Sequence, residues 1–163
     1  MIRRLLLLAV VPTALTAQSR WDTATVKAQP LRGGVYVITG VGGNIGLSTG
    51  ADAAFLVDDQ YAPLTQKIVA AVRSVTDQPV KFVINTHWHG DHTGGNENFG
   101  TAGALLVAHD NVRKRMSVEQ FVGTARRTPA SPAAALPVVT FNDSVTFHIN
   151  GDSLVAFHVP RSY

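Results

Sequence analysis

Short apolar runs separated by glycine and polar turns fill the first third of the chain. Residues Val35–Thr39 are rich in β-branched and aromatic side chains and predict a strand. The runs at 44–48 and 53–57 predict two further strands, and the turn at 49–52 separates them. The glycine-broken stretch 40–46 lacks the Lys-Ser/Thr ending of a phosphate-binding loop and precedes a strand, so we interpret it as a hairpin turn. This part of the chain therefore predicts a β-meander.

Helical periodicity begins after the meander. In residues 64–75 the apolar side chains Leu64, Ile68 and Val72 recur at helical spacing, which predicts a helix with one buried face. An apolar strand is predicted at 80–85, and the order strand, helix, strand indicates an α/β layered fold around a covered sheet. Downstream, the pattern predicts a strand at 104–108, a helix at 109–121 and a loop rich in proline and alanine at 128–137. Three more strands are predicted at 138–141, 144–149 and 153–159.

The N-terminus has the pattern of a secretory signal peptide. Arg3 and Arg4 precede a short apolar run, and small residues suited to a signal peptidase follow up to Ala17. A buried N-terminal helix is the alternative. The run is shorter than the roughly 20 residues that span a bilayer. We therefore expect an exported protein, periplasmic or secreted, with no stable membrane span. The predicted organisation is a signal peptide at 1–17, a mature N-terminal arm at 18–32 and one domain at 33–163.

Composition narrows the class of protein. The 163 residues are 45% hydrophobic and 15% charged, which is typical of one globular domain. Without the two arginines of the signal peptide, the chain has 12 basic and 11 acidic residues. This small net charge indicates no nucleic-acid partner. We interpret the basic cluster 113–115 as a solvated helix face. The absence of cysteine excludes disulfides, thiolate metal ligands and a cysteine nucleophile.

Four possible metal ligands follow the strand at 80–85 with the spacing His-x-His-x-Asp-His. They are His87, His89, Asp91 and His92. Alternate residues of an extended segment point to the same side, so the first two histidines can bind one ion, and Asp91 and His92 can face a second. Imidazole and carboxylate suit zinc, and also iron or manganese. Two ions sharing a water would lower its pKa and generate a hydroxide nucleophile. A histidine-rich surface loop is the alternative.

Residues 86–96, Thr-His-Trp-His-Gly-Asp-His-Thr-Gly-Gly-Asn, resemble the signature of the metallo-β-lactamase superfamily, and the resemblance runs from about Val35 to the end of the chain. It implies an αββα sandwich with a binuclear metal site at one edge, of which this chain would hold the N-terminal half and a little more. It also implies that His87 and His89 bind the first metal and that Asp91 and His92 bind the second. Asp91 would additionally orient the attacking water, and is the catalytic residue that the resemblance implies.

The resemblance extends to residues outside the motif. Asp58 matches an acidic residue that, in the family, lies under the metal site and supports the ligand loop; the alternative is a turn aspartate beside Asp59. His158 is the best-placed further histidine, but its position matches a non-ligand of the family. We expect His109 and His148 to be structural or exposed.

The chain departs from the family pattern at its end. A third histidine for the first metal, a bridging aspartate and a last histidine are absent. In relatives the loop after this strand typically reads Ala-His-Thr-Asp-Gly-Asp, whereas this chain continues Arg161-Ser162-Tyr163. Two ligands per ion would bind weakly, because catalytic zinc usually has three protein ligands and a water. We therefore expect a truncated product or a fragment, with strand edges and apolar faces left uncovered.

Two functions remain open at this point. The first is a metal-dependent, zinc-containing hydrolase with one or two ions, in which a metal-bound hydroxide attacks a small-molecule ester, amide, thioester or phosphoester. The second is a non-catalytic remnant with weak metal binding. Assembly with a partner chain that supplies the missing ligands is a further possibility. The sequence does not identify the substrate, because fold does not imply function.

Overall fold

The computed structural model describes residues 19–122 and 126–160. The predicted signal peptide, residues 1–17, lies outside the described residues. Among those described, no helix is long and apolar enough to cross a membrane.

The described chain contains eleven strands and five α-helices. The strands are β1 (Lys27–Pro30), β2 (Val35–Thr39), β3 (Ile45–Thr49), β4 (Ala54–Val57), β5 (Val80–Asn85), β6 (Leu105–His109), β7 (Gln120–Val122), β8 (Arg126–Thr128), β9 (Val139–Phe141), β10 (Ser144–Ile149) and β11 (Asp152–Phe157). The helices are α1 (Arg20–Thr23), α2 (Thr65–Arg73), α3 (Gly90–Thr93), α4 (Asn96–Thr101) and α5 (Asp110–Met116), with 3₁₀ turns at Ala62–Leu64 and Ala133–Ala135.

Seven strands form one sheet in the order β1-β2-β3-β4-β5-β6-β9. Strands β1 to β4 pair antiparallel as consecutive neighbours, which confirms the predicted meander. Strands β4, β5, β6 and β9 pair in parallel, with helices in the connections. The α/β fold class predicted from the order of elements is therefore confirmed.

The two faces of the sheet bury different side chains. In β4, Leu56 packs in the cluster that contains Ile68 of α2, whereas Phe55 points to the other face, since successive side chains of a strand alternate. There Phe55 meets Phe147 of the β10–β11 hairpin, with ring centroids 4.9 Å apart. Burying a side chain of this size stabilises the fold by roughly 1.5–3 kcal/mol. The sheet is thus covered by helix on one face and by a hairpin on the other.

The hairpin is attached to the sheet through its turn. Asn150 adopts a φ of 57°, and its side-chain oxygen accepts hydrogen bonds from the N–H groups of Asp52 and Ala53, each at 3.2 Å. Its backbone N–H donates to Asp52 Oδ2 at 2.6 Å. The face of β11 that points away from the sheet carries exposed apolar side chains, with Val155 58% and Phe157 68% exposed.

The structure differs from the sequence predictions at several places. The segment 18–32, for which the sequence predicts no element, contains α1 and β1, and Lys67 Nζ donates to three backbone carbonyls of this segment. The helix predicted over 109–121 was wrong at its C-terminal end, because α5 stops at Met116 and β7 follows. The predicted loop 128–137 includes a 3₁₀ turn, since Ala135 N donates to Pro132 O.

Candidate metal centre

The motif lies at the carboxyl end of β5, in the parallel part of the sheet. This is the edge at which α/β sheets commonly bind ligands. His87 and His89 follow the strand in a bent segment, with His89 itself in an extended conformation, and the chain then enters α3, which carries Asp91 and His92. The Thr93 hydroxyl donates to His89 O at 3.1 Å and fixes this change of direction.

The structure brings the four predicted ligand side chains together. The ring centroid of His87 lies 4.0 Å from that of His92 and 4.8 Å from that of His89. Asp91 Oδ2 lies 3.5 Å from His92 Nε2. Within the described ranges, however, no group of three or more histidine, aspartate or glutamate side chains is arranged to hold one metal ion. The centre therefore contains neighbouring donors but no three-ligand set among the described residues.

Asp58 lies beneath the motif and contacts it through both carboxylate oxygens. Its side chain is buried, Oδ1 accepts the backbone N–H of Thr86 at 2.7 Å, and Oδ2 accepts the Thr86 hydroxyl at 2.7 Å. His92 Nδ1 also lies 2.7 Å from Oδ2. Because an ionised carboxylate only accepts hydrogen bonds, Nδ1 carries the proton of this contact, and Nε2 is the nitrogen directed toward Asp91.

His87 has an altered protonation equilibrium. Burial lowers its pKa, and the neighbouring His92 and His89 lower it further, while Asp58 and Asp91 oppose the shift. The lowered pKa favours the neutral form of His87, which is the form of imidazole that binds a metal ion.

Close glycine contacts leave room for the ligand side chains. A Cβ atom on Gly43 would lie 2.5 Å from His92 Cε1, and one on Gly94 would lie 2.5 Å from Gly90 O. Gln60 Nε2 donates to Gly43 O at 2.6 Å and holds the loop in this position. Three imidazoles, a carboxylate and the space that Gly43 leaves beside His92 are the kinds of group that bind a metal ion, two donors to each ion.

Buried polar side chains support the motif from below. Asn85 and Asn96 exchange amide hydrogen bonds at 2.9 and 3.0 Å, and Asn85 Nδ2 also donates to His92 O at 3.1 Å. Asp59 is fully buried and accepts the Gly95 N–H at 2.9 Å. Burial raises the pKa of Asp59 well above its ordinary value; the bond from Gly95 opposes this shift. Of the three buried side chains, the sequence argument placed Asn96 in the motif, named Asp59 only as a neighbour of Asp58 and gave Asn85 no part in the site.

The remaining predicted histidines have other contacts. His109 Nε2 lies 2.7 Å from Asn142 O, and its ring stacks on that of His158 with centroids 4.1 Å apart. His148 Nδ1 lies 3.0 Å from Ser153 Oγ on the hairpin. The expectation that none of the three is a ligand stays a prediction.

Two clefts adjoin the motif. One, of about 550 Å³, lies between the sheet and the β10–β11 hairpin and is lined by apolar side chains together with His87 and His158. The other, of about 430 Å³, is lined by Trp88, His89 and Asp91 among others. A small molecule can therefore approach the motif from either cleft.

Known proteins resemble the chain in sequence and in structure. A hydroxyacylglutathione hydrolase of Erythrobacter litoralis is 31% identical over 84 residues, which are 51% of this chain and 31% of that protein. A subclass B3 metallo-β-lactamase of Bradyrhizobium japonicum superposes with a TM-score of 0.71 at 22% identity, over 86% of this chain and 55% of the other. A metallo-β-lactamase from Pontibacter korlensis gives 0.63 at 23% identity, over 80% and 59%.

These structural likenesses confirm the fold. The chain spans just over half the length of the two solved structures, and its match covers less than a third of the curated relative. The family model described as the metallo-beta-lactamase superfamily matches residues 35–162. That match covers the meander, the motif and the hairpin, and it confirms the resemblance carried by residues 86–96. The chain belongs to the metallo-β-lactamase superfamily.

Proposed function

We propose that this chain carries the motif half of the active site of a zinc-dependent hydrolase that cleaves a small-molecule ester, amide or thioester. The observation that carries the proposal is the gathering of His87, His89, Asp91 and His92 at the end of β5, with Asp58 orienting His92. His87 and His89 would hold one ion, and Asp91 and His92 a second. Bound zinc supplies Lewis acidity and lowers the pKa of water toward neutrality.

The protein groups have separate parts in this chemistry. Asp91 accepts a hydrogen bond from the attacking water and so orients it toward the substrate carbonyl. Asp58 keeps the proton of His92 on Nδ1, so that Nε2 is available as a donor to the metal. Trp88, half-buried beside His89, provides an apolar surface against which the body of a substrate can pack.

Further ligands complete each site in this proposal. Catalytic zinc usually has three protein ligands and an open position, and two donors from this chain would leave one to be supplied. Residues 1–18, 123–125 and 161–163 contain no histidine, aspartate, glutamate or cysteine, so a partner chain would supply it.

The second candidate is a non-catalytic protein that binds metal weakly. It is favoured by the absence, in the described ranges, of any three-donor group arranged around one position. It differs from the first candidate in its zinc affinity, which two donors alone would keep low.

Hydrolysis assays on the purified, zinc-loaded chain distinguish the two. Suitable substrates are a p-nitrophenyl ester, an anilide and, because one relative is named a hydroxyacylglutathione hydrolase, an acylglutathione thioester. We expect turnover that chelation abolishes and that is lost in His89→Ala but kept in His148→Ala, whose histidine lies on the hairpin. Turnover that survives chelation or His89→Ala would contradict the hydrolase proposal, and zinc binding without any turnover would favour the second candidate.

A further inference from the structure

Among the described residues, Arg115 is the one lysine or arginine that lines the second cleft, which Trp88, His89 and Asp91 also border. Its guanidinium carbon lies 5.8 Å from the centroid of the Trp88 ring, and the Trp88 ring lies 5.0 Å from that of His89. The cation is thus positioned by an aromatic residue of the motif itself. The indole ring of Trp88 therefore lies between the guanidinium group of Arg115 and His89, a predicted metal ligand.

The guanidinium group of Arg115 has different surroundings from those of the nearby arginines. Arg113, on the same helix, donates to Pro137 O, and Arg127 pairs with Glu119 at 3.6 Å. In residues 19–122 and 126–160, no carboxylate lies within ion-pair distance of Arg115, although Glu97 lines the same cleft. An arginine without an internal counter-ion, at the wall of a cleft, can pair with an anion from solution.

The rest of the cleft wall combines aromatic and apolar side chains with polar ones, among them the carboxylates of Asp91 and Glu97. Tyr61, Trp88, Met116 and Val118 line it, and Trp88 packs against the buried cluster that contains Met116. The aromatic and apolar part of the wall suits an apolar or aromatic body, and Arg115, the one lysine or arginine among the described lining residues, can pair with one carboxylate of a ligand. The arrangement fits a monocarboxylate better than a phosphate dianion, which would call for more than one cation.

We propose that Arg115 is a specificity-determining residue that binds the carboxylate of an acyl substrate with an apolar or aromatic body. The substrate lies along Trp88, with its carboxylate at the guanidinium and its scissile carbonyl toward His89 and Asp91. The proposal names the substrate class for the hydrolase site proposed above and rests on that function. Carboxylate recognition itself, however, requires neither metal nor turnover.

Binding of two matched probes tests the proposal. N-Benzoylglycine carries a carboxylate, and N-benzoylglycinamide is its neutral amide. Isothermal titration of the full chain, both zinc-loaded and after EDTA treatment, measures the preference for the anion. The EDTA-treated protein isolates Arg115, because a carboxylate can also bind a metal ion directly.

We expect the wild-type protein to bind the carboxylate at least about tenfold more tightly than the amide, as a charge-assisted hydrogen bond provides. Arg115→Ala should lose this preference without changing the affinity for the amide. Arg115→Lys should keep a reduced preference, since lysine retains the charge but not the planar pair of donors. Lys114→Ala is the matched control: its residue is exposed on the same helix, does not line the cleft, and should leave both affinities unchanged.

Three results would overturn the proposal. They are no anion preference in the wild-type protein, a preference retained in Arg115→Ala, and an equal loss in Lys114→Ala, which would show only diffuse charge attraction. Circular dichroism of each variant verifies folding, and Arg115→Lys provides the comparison if Arg115→Ala does not fold. A chain that hydrolyses neutral esters without an anion preference refutes this inference alone. A chain that prefers the carboxylate but hydrolyses nothing refutes the hydrolase proposal alone.

Discussion

Replacing Asp58 by asparagine changes the proton pattern of the motif with little change in shape. Asp58 has a φ of 66°, a conformation that asparagine tolerates as well as aspartate does. The remaining carbonyl oxygen can keep the 2.7 Å bond from Thr86 N–H. The new NH₂ group then faces the Thr86 hydroxyl and His92 Nδ1, which both lie 2.7 Å from Oδ2 in the wild-type protein. Thr86 can adapt, because its oxygen can accept a hydrogen bond.

His92 cannot adapt without cost. Facing an N–H donor, its Nδ1 must accept, and the proton of the neutral ring moves to Nε2. Nε2 is the nitrogen directed toward Asp91, at 3.5 Å, and a proton on it removes the lone pair that would bind the metal ion. Loss of such an outer-shell partner typically weakens metal binding about 10- to 100-fold, or ~1.4–2.7 kcal/mol. We expect a smaller loss of about 1 kcal/mol in the free energy of unfolding.

Zinc affinity and the His92 tautomer are the two quantities to measure. Competition with a fluorescent chelator gives the dissociation constant, and long-range ¹H–¹⁵N NMR of the histidine rings identifies the protonated nitrogen. Asp52→Asn is the matched control, because its carboxylate accepts the Asn150 N–H at the hairpin, away from the motif. An Asp58→Asn protein that binds zinc as the wild type does, with the proton still on Nδ1, would refute this reasoning.

Three further substitutions test other parts of the site. Gly43→Ala places a Cβ 2.5 Å from His92 Cε1 and should reduce zinc content, measured by mass spectrometry, whereas Gly90→Ala meets nothing within 4 Å and should not. Asn96→Ala removes buried amide bonds and should lower the free energy of unfolding in urea by about 2–4 kcal/mol; a change below about 1 kcal/mol would contradict the buried network. Burial raises the pKa of Asp59, so the native state favours its protonated form and loses stability as the pH rises above the unfolded value of about 4. Asp59→Asn should therefore make the EDTA-treated protein more resistant to urea at pH 7, with little effect near pH 4; equal effects at both would contradict the assigned cause.

The sequence predicted the regular elements that have a clear period. Leu64, Ile68 and Val72 are buried in the structure, and the β-branched run Val35–Thr39 is a strand. Helices α3 and α4 were not predicted, because their four and six residues contain glycine and have too few turns for an apolar stripe. Tertiary contacts form them instead: Gly95 N donates to Gln60 O and to Asp59 Oδ1.

The candidate site was predictable in its ligands but not in its supports. The four donors lie within six residues, so local spacing alone groups them. Gln60 and Gly43 act through contacts between distant parts of the chain, and no local pattern marks them. Arg115 belongs to a basic cluster that the sequence assigned to a solvated face, and only the packing of α5 beside Trp88 separates it from Lys114.

Anomalous diffraction from crystals of the purified chain grown with zinc tests the central claim most directly. Data collected on both sides of the zinc absorption edge locate any bound ion without assumptions about its ligands. We predict a peak bordered by His87, His89, Asp91 and His92, which disappears in crystals of His89→Ala. Crystals without a zinc peak at this edge of the sheet, or with one only at an unrelated surface, would contradict the claim that this segment is a metal centre.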